Sequence, residues 1–205
     1  MIRFISFCAV AAALFLAPAR AGEPTPLFAD DEIIDIRLEG PIRDLVRKAQ
    51  RSTDPYPATL VLEGASPETH AIELSARGNS RRDPNVCKFP PLRVEFAEKP
   101  GKGSLFRKQK KLKLVTHCKS SASFQQYDLV EYIAYRLLNV MTPQSFRVRL
   151  ANVVYYDNEK GKEVAARIGF FIEAVDDMAR RVGMKEVERP DMMISQLDPA
   201  AAGRT

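Results

Sequence analysis

The 205-residue sequence contains no tryptophan, only two histidines and only three cysteines. Neither His70 nor His117 accompanies a recognisable serine or cysteine nucleophile motif, so a hydrolase of the Ser-His-Asp type is the least favoured function class. The cysteines lack Cys-x-x-Cys spacing, and one histidine beside two cysteines provides too few ligands for a structural zinc site. From the residue types alone, we predict no metal site and assign no catalytic residue.

Long apolar runs are also missing after the first twenty residues. The one such run, residues 4–16, follows the positively charged Arg3 and ends in an A-x-A pattern, with cleavage expected after Ala21. A membrane-spanning helix needs about 20 apolar residues, whereas a proline and an arginine interrupt this run too early. The sequence predicts a signal peptide over residues 1–21, export to the periplasm or extracellular space, and no stable membrane span.

Neither sign of charge is in large excess. The net charge is +5 and falls to +3 when Arg3 and Arg20 are removed with the leader. Basic residues concentrate in residues 99–119, but the stretch lacks the density and the stacking aromatics that nucleic-acid binding requires. We therefore predict a mildly basic protein that does not bind nucleic acid.

Two cysteines, Cys87 and Cys118, remain after removal of the leader. An even pair in an oxidising compartment more often forms a disulfide than two free thiols. His117 lies beside Cys118, which leaves metal binding as the less favoured alternative. We predict a Cys87–Cys118 disulfide.

The length of the chain predicts one domain. Its hydrophobic periodicity predicts strands, where apolar and polar residues alternate, and helices, where apolar residues follow helical spacing. Strands are predicted at residues 35–38, 58–63, 69–76, 91–96, 110–116, 146–156 and 163–172, and helices at 42–51, 123–141 and 176–182. The long helix carries a wide apolar face at helical spacing, formed by Leu129, Val130, Ile133, Ala134, Leu137, Leu138 and Met141. This order predicts an α+β fold, an antiparallel sheet with one long packed helix.

The tetrapeptide Arg77-Gly78-Asn79-Ser80 interrupts the strand alternation. A glycine turn can present backbone N–H groups to a phosphate, and the guanidinium of Arg77 can pair with the same group. The same residue types are ordinary turn formers, and without further context the simple turn is the favoured interpretation.

Two further features concern charged residues. Lys111 and Lys113 lie on a predicted strand that precedes the helix carrying Glu131. A strand lysine bridged to a glutamate on the next helix holds the ATP phosphates in protein kinases, whereas the alternative is a set of solvated charges. Glu173 ends an apolar strand, where a carboxylate either contacts a nucleotide or caps the next turn, and both interpretations remain open.

The ordered set of motifs resembles the spore-coat protein H (CotH) kinase family. The set consists of the R-G-N-S turn, a P-L-R-V-E-F strand, the K-K-L-K-L-V strand, the Y-I-A-Y-R-L helix and a hairpin ending in an acidic residue. It covers about residues 74–174. The resemblance implies the nucleotide-facing N-lobe of an atypical protein kinase, with ATP and Mg²⁺ as cofactors. The nucleotide-binding residues that it implies are Arg77, Gly78, Asn79, Ser80, Lys113, Glu131 and Glu173.

The sequence departs from this family at two places. Glu95 stands where the family's strand usually has a second basic residue, and the family's metal-binding aspartates lie in a helical second lobe of well over ~100 residues. Only 32 residues follow Glu173, and none of their aspartates aligns with a metal ligand. We expect residues 22–175 to form a kinase-like N-lobe and residues 176–205 to begin a truncated second lobe. Such a chain would be inactive alone.

The alternative function is an exported, non-catalytic binding or structural module. The sequence does not specify a protein substrate or a cell-envelope partner. In a truncated two-lobe protein, the surface that the second lobe would cover is left open to solvent. We expect this under-covered surface to include Phe170, Ile172 and residues 192–194, and the chain to be marginally stable.

Overall fold

The computed structural model describes residues 22–187 and residue 193. The strands are β1 (Ile34–Gly40), β2 (Tyr56–Leu62), β3 (Glu68–Ala76), β4 (Leu92–Phe96), β5 (Lys111–Val115), β6 (Val148–Asp157) and β7 (Lys162–Ile172). The helices are α1 (Ile42–Lys48), α2 (Ala122–Met141) and α3 (Val175–Arg181), with short 3-10 turns at Pro26–Phe28 and Ser80–Arg82. The predicted signal peptide lies outside the described residues.

The seven strands form a closed barrel in the order β1-β2-β3-β4-β5-β7-β6. All neighbouring pairs are antiparallel except the one that closes the barrel, where β6 runs parallel to β1. The structure confirms the mixed α+β class, but the expected antiparallel sheet is a closed barrel with one parallel pair. Closure satisfies the strand edges that an open sheet would leave unpaired.

Alternation along each strand fills the barrel with aliphatic and aromatic side chains. On β5, Leu112 and Leu114 point inward and are almost fully buried, while Lys113 points outward. One end of the barrel is filled by Leu27, together with Phe106 from the β4–β5 connection. Each fully buried large side chain contributes roughly 1.5–3 kcal/mol relative to exposure, so these positions dominate the stability of the fold.

Helix α2 packs on the outside of the barrel, but with a different side from the one its apolar periodicity predicts. Tyr132 and Tyr135 pack edge-on against Phe170, with ring centroids 5.7 and 6.0 Å away. Asn139 donates to the carbonyl oxygen of Phe146 at 2.8 Å, and Asp128 is buried. The side of α2 that contacts the barrel is therefore formed by tyrosines and polar residues.

The prediction that the apolar face of α2 packs against the sheet is wrong for most of the residues on that face. The exposed large hydrophobic residues of α2 are Tyr127, Val130, Ile133, Leu137, Leu138, Val140 and Met141. Periodicity shows that a stripe exists, but it does not show which side meets the sheet. On this helix the tyrosine side fits the aromatic outer surface of β7, and the aliphatic stripe faces solvent.

The residues expected to be under-covered are covered, except at one position. Phe170 is fully buried and Ile172 is 5% exposed, because Tyr132, Tyr135 and Phe146 pack over this part of the barrel. Met193 is exposed, and its neighbours 192 and 194 lie outside the described residues. Most of the exposed large hydrophobic residues in the described part of the chain therefore lie on α2, and none lies on the last hairpin.

The predicted disulfide between Cys87 and Cys118 is present. It joins the long β3–β4 connection to the segment after β5, with the two Cα atoms 4.6 Å apart. The backbone N–H of Lys88 donates to the carbonyl oxygen of Cys118 at 2.7 Å. The cross-link and this hydrogen bond together fix the connection that begins at Arg77.

Replacing both Cys87 and Cys118 by alanine should lower the free energy of unfolding by about 3–4 kcal/mol, because the cross-link restricts the unfolded chain. Urea denaturation of the oxidised protein and the double variant measures this difference. The reduced wild-type protein is the matched control and should behave like the variant. Two alkylatable thiols at these positions in the native protein would contradict the assignment.

Candidate anion-binding site

Two basic side chains lie opposite each other on the outer face of the barrel. Arg93 on β4 and Lys113 on β5 are cross-strand partners, and the residues flanking each of them on its strand point into the core. Directly opposed residues place their Cβ atoms about 4.5–5.5 Å apart, and like charges in this position destabilise a sheet. The fold therefore holds two cations together at an energetic cost.

Arg77 brings a third cation to the same place. Its backbone N–H donates to the carbonyl oxygen of Pro91 at 2.9 Å, which holds the residue at the end of β3. Burial lowers the pKa of the Arg77 guanidinium, and the positive charge of Arg93 lowers it further. Burial likewise lowers the pKa of Lys113, with further lowering by Arg77 and Arg93. We call these three residues the cationic cluster.

Within the described part of the chain, no member of the cationic cluster forms an ion pair or a side-chain hydrogen bond. The ammonium of Lys113 instead lies 5.3 Å from the ring centroid of Phe146. A half-buried charge without a partner costs free energy that an anion could recover. The cluster is therefore suited to bind an anion from solution.

A cleft of about 670 Å³ adjoins the cluster, between β4–β5 and α3. Its charged lining residues are Arg93, Lys108, Lys110, Lys111, Lys113, Arg180, Asp176, Asp177 and Glu186. The two aspartates are occupied by Arg180, whose guanidinium lies 2.6 Å from the Asp177 carboxylate and 3.5 Å from that of Asp176. Basic side chains outnumber acidic ones, so the cleft favours a negatively charged ligand.

The Arg77-Gly78-Asn79-Ser80 segment forms a turn. Gly78 has a φ of +88°, a left-handed conformation that glycine adopts without steric cost. Arg82 fixes the turn by donating from Nε to the carbonyl oxygen of Gly78 at 2.6 Å. The structure places Arg77 in the cationic cluster, whereas the side chains of Asn79 and Ser80 are exposed on the turn.

The lysine–glutamate bridge typical of kinases is not formed among the described residues. Glu131 on α2 lies 3.5 Å from the guanidinium of Arg81, and Lys113 makes no ion pair with it. Arg77 interacts electrostatically with both Glu131 and Lys113. Glu131 is thus close to the cluster, but its carboxylate is used by Arg81.

Glu173 forms a buried structural ion pair. Its carboxylate accepts hydrogen bonds from Nε and Nη2 of Arg181 at 3.0 and 2.9 Å, and from the backbone N–H of Arg147 at 3.0 Å. Arg181 also donates to the carbonyl oxygens of Pro143 and Ser145. The structure shows a role for Glu173 that differs from the predicted turn cap, since α3 has no side-chain cap and the Glu173–Arg181 pair instead fastens α3 to the barrel.

Arg93, Arg81 and Asp128 were not singled out by the sequence. The alternation of β4 does predict that Arg93 points outward, but only the β4–β5 register shows that it faces Lys113. Asp128 and Arg81 lie in a helix and a loop whose relative position depends on the closed barrel. No local pattern identifies their contact.

Asp128 is a buried carboxylate with incomplete hydrogen bonding. It is 4% exposed, and Oδ1 lies 3.6 Å from the Arg81 guanidinium, while Oδ2 has no partner among the described residues. Burial raises the pKa of Asp128 to about 6. The Tyr155 hydroxyl is also buried, with no hydrogen-bond partner in the described part of the chain. Its pKa is raised by burial and then by the charge of Asp128.

The raised pKa of Asp128 predicts a loss of stability between about pH 4 and pH 6. The folded state keeps its proton up to about pH 6, whereas the unfolded chain releases it near its ordinary value of 3.8, so rising pH favours unfolding over this window. Asp128→Asn should remove this pH dependence and raise the free energy of unfolding at pH 7.5 by about 1–2 kcal/mol.

Urea denaturation at pH 4.5 and pH 7.5 tests this prediction, with the exposed Asp54→Asn as the control for loss of one carboxylate. The Asp54 variant should keep the pH dependence of the wild-type protein. An Asp128→Asn variant with the same pH dependence as the wild-type protein would contradict the assignment, because the carboxylates with lowered pKa values, such as Asp44 and Glu68, are present in both proteins.

Comparison with known proteins adds no assignment, because no protein-family model matches the chain and no curated protein is significantly similar to it. None of the helices in the described residues is long and apolar enough to cross a membrane. The cationic cluster carries charge of the sign that an anionic group such as a phosphate requires. Residues 22–187 and 193 contain no group of three or more His, Cys, Asp or Glu side chains placed to bind a metal ion such as Mg²⁺.

Proposed function

We propose that this chain is an exported module that binds phosphate-bearing ligands, and that it is the nucleotide-facing lobe of a CotH-like atypical kinase. The observation that carries the proposal is the cationic cluster, whose three positive charges form no ion pair among the described residues, although Glu131 lies near Arg77 and Glu186 near Lys113. The motif order supports the choice of a nucleotide. The A-x-A leader pattern supports export, and the disulfide is compatible with an oxidising compartment.

Phosphate suits this cluster for a chemical reason. Arginine presents a planar fork of N–H donors that matches two phosphate oxygens, and lysine adds a compact point charge. A phosphate between Arg77, Arg93 and Lys113 would also relieve the repulsion among them. The adjoining cleft, at about 670 Å³, falls within the range of small-ligand sites, roughly 300–1,000 Å³.

The residues proposed to bind the phosphates are Arg77, Arg93 and Lys113. Gly78, Asn79 and Ser80 stay predicted contacts through the turn that follows Arg77, and Glu131 stays a predicted contact at the edge of the cluster. Glu173 is left out, because its carboxylate already accepts hydrogen bonds from Arg181 and the backbone of Arg147. When bound, ATP would supply the phosphates; these residues would hold and orient them.

Titration calorimetry with ATP at low ionic strength should show binding that weakens as salt is added, because the attraction is between charges. Arg93→Ala and Lys113→Ala should each weaken binding by about 10-fold or more, the usual effect of losing one charge-assisted hydrogen bond. The exposed Lys99→Ala removes the same charge outside the cluster and should leave the affinity unchanged. Affinity unchanged in both cluster variants would exclude this site.

We expect no phosphate transfer to protein by this chain, because phosphoryl transfer requires metal ions clamped on the phosphates and a carboxylate near the nucleophile. Incubation with radiolabelled ATP, Mg²⁺ and acceptor proteins tests this expectation. Transfer that is lost in Lys113→Ala but kept in Lys99→Ala would contradict it. Such a result would show that this chain carries a catalytic metal site.

The second candidate is an exported binding or structural module without nucleotide chemistry. The observation that favours it is the exposed apolar face of α2, which is a typical property of a protein–protein contact surface. Calorimetry distinguishes the two candidates, since this second function predicts no saturable ATP binding. The two functions use different faces of the molecule.

A further inference from the structure

Helix α2 exposes a continuous aliphatic surface that the proposed phosphate site does not use. We call it the apolar stripe, and its members are Val130, Ile133, Leu137, Leu138, Val140 and Met141. Val140 is 87% exposed and Leu137 is 60% exposed. The solvent side of a helix normally carries charged or polar residues, so this surface is unusual for a monomer.

The stripe is also without free charge. Helix α2 contains three charged residues, and each one pairs with the body of the molecule. Asp128 and Glu131 lie 3.6 and 3.5 Å from the guanidinium of Arg81. Arg136 forms a bidentate ion pair with Asp31, in which Nη1 and Nη2 donate to the two carboxylate oxygens. The charged residues of α2 are thus already paired within the molecule, and the stripe itself is complementary to a neutral, apolar surface.

The spacing of the stripe matches that of helix–helix seams. Val130, Ile133, Leu137 and Val140 follow one another at intervals of three, four and three residues, the a/d pattern of a coiled-coil seam. The stripe is also self-complementary. In an antiparallel pair centred at the level of residue 135, Ile133 of one copy meets Leu137 of the other, and Val130 meets Val140.

From these observations we infer that the apolar stripe binds the apolar stripe of a second copy of this chain, in an antiparallel, two-fold symmetric dimer. Such isologous contacts are the commonest arrangement in soluble oligomers. Helix α2 has 20 residues and is about 30 Å long. A single helix seam falls short of the about 800 Å² per partner of a standard interface. We therefore expect a dissociation constant on the order of micromolar.

Analytical ultracentrifugation of the exported product of the full-length gene tests this inference over about 1–500 μM, a range chosen around the expected constant. The mass should rise to twice that of the monomer. Leu137→Lys should weaken the dimer by more than about 100-fold, because it buries an unpaired charge in each half of the seam. The control is Val187→Lys, a similarly exposed valine outside α2, which should dimerise like the wild-type protein.

The variants should fold, because Leu137 and Val140 are exposed in the single chain, and circular dichroism checks this. Val140→Lys provides a second test of the seam if the Leu137 variant fails to fold. A monomer at every concentration overturns the inference, and this outcome would arise if residues 188–205 covered the stripe. A dimer that survives both lysine substitutions also overturns it.

Disulfide cross-linking of the exported chain, whose Cys87 and Cys118 are already paired with each other, tests the orientation. The double variant with Val130→Cys and Val140→Cys should form a covalent dimer on oxidation, because residue 130 of one copy meets residue 140 of the other. The two single variants should not cross-link. Efficient cross-linking of either single variant would indicate a parallel pair and would overturn the antiparallel arrangement.

Discussion

The parallel pairing of β1 with β6 is the interaction on which the other features depend. It joins Ile34 to Ala151 at one end and Gly40 to Asp157 at the other, and it turns a seven-stranded sheet into a barrel. In the closed barrel, one side of each strand faces the core and the other faces outward. Inward residues form one continuous core, and the outer surface carries the helices and the charged residues.

Two buried carboxylates outside the barrel core, Glu173 and Asp128, have different surroundings. Glu173 is enclosed by Arg181 and by a backbone N–H, so its charge is compensated by good geometry. Asp128 has one distant guanidinium and an oxygen without a partner among the described residues. The first arrangement anchors α3, and breaking such a pair by removing one partner typically costs about 3–5 kcal/mol. In the second arrangement, burial disfavours the charged form of Asp128, and the ionised carboxylate therefore lowers the stability of the fold.

Much of the local structure could be predicted from sequence, because it depends on local periodicity. The segment predicted at residues 69–76 corresponds to β3 at Glu68–Ala76, and the long helix predicted at 123–141 corresponds to α2 at Ala122–Met141. The direction of Lys113 also follows from alternation. By contrast, the β1–β6 pairing joins distant segments and leaves no local pattern. The side on which α2 packs depends on the shape of the barrel surface, which periodicity does not contain.

The candidate site could be predicted only in part for the same reason. Motif order identifies Arg77 and Lys113, and the structure brings them close enough for the positive charge of Arg77 to lower the pKa of Lys113. Arg93 could be assigned to the site only from the register between β4 and β5, which places it opposite Lys113. Glu131 lies where the motif order suggests, near Arg77, but its partner is Arg81, a loop residue that no helix or strand pattern places.

Arg81 lies between helix α2 and the loop that follows the cationic cluster. Its guanidinium is 3.6 Å from Asp128 and 3.5 Å from Glu131, and burial lowers the pKa of the Arg77 guanidinium while nearby Glu131 raises it. Because Arg81 takes the ion-pairing contacts of both acidic residues, Arg77 forms no ion pair with either of them among the described residues. Asp128 is buried against the barrel, whereas Glu131 stays 40% exposed. One guanidinium thus accounts for both acidic residues of α2, and the exposed hydrophobic residues of the helix carry no charge of their own.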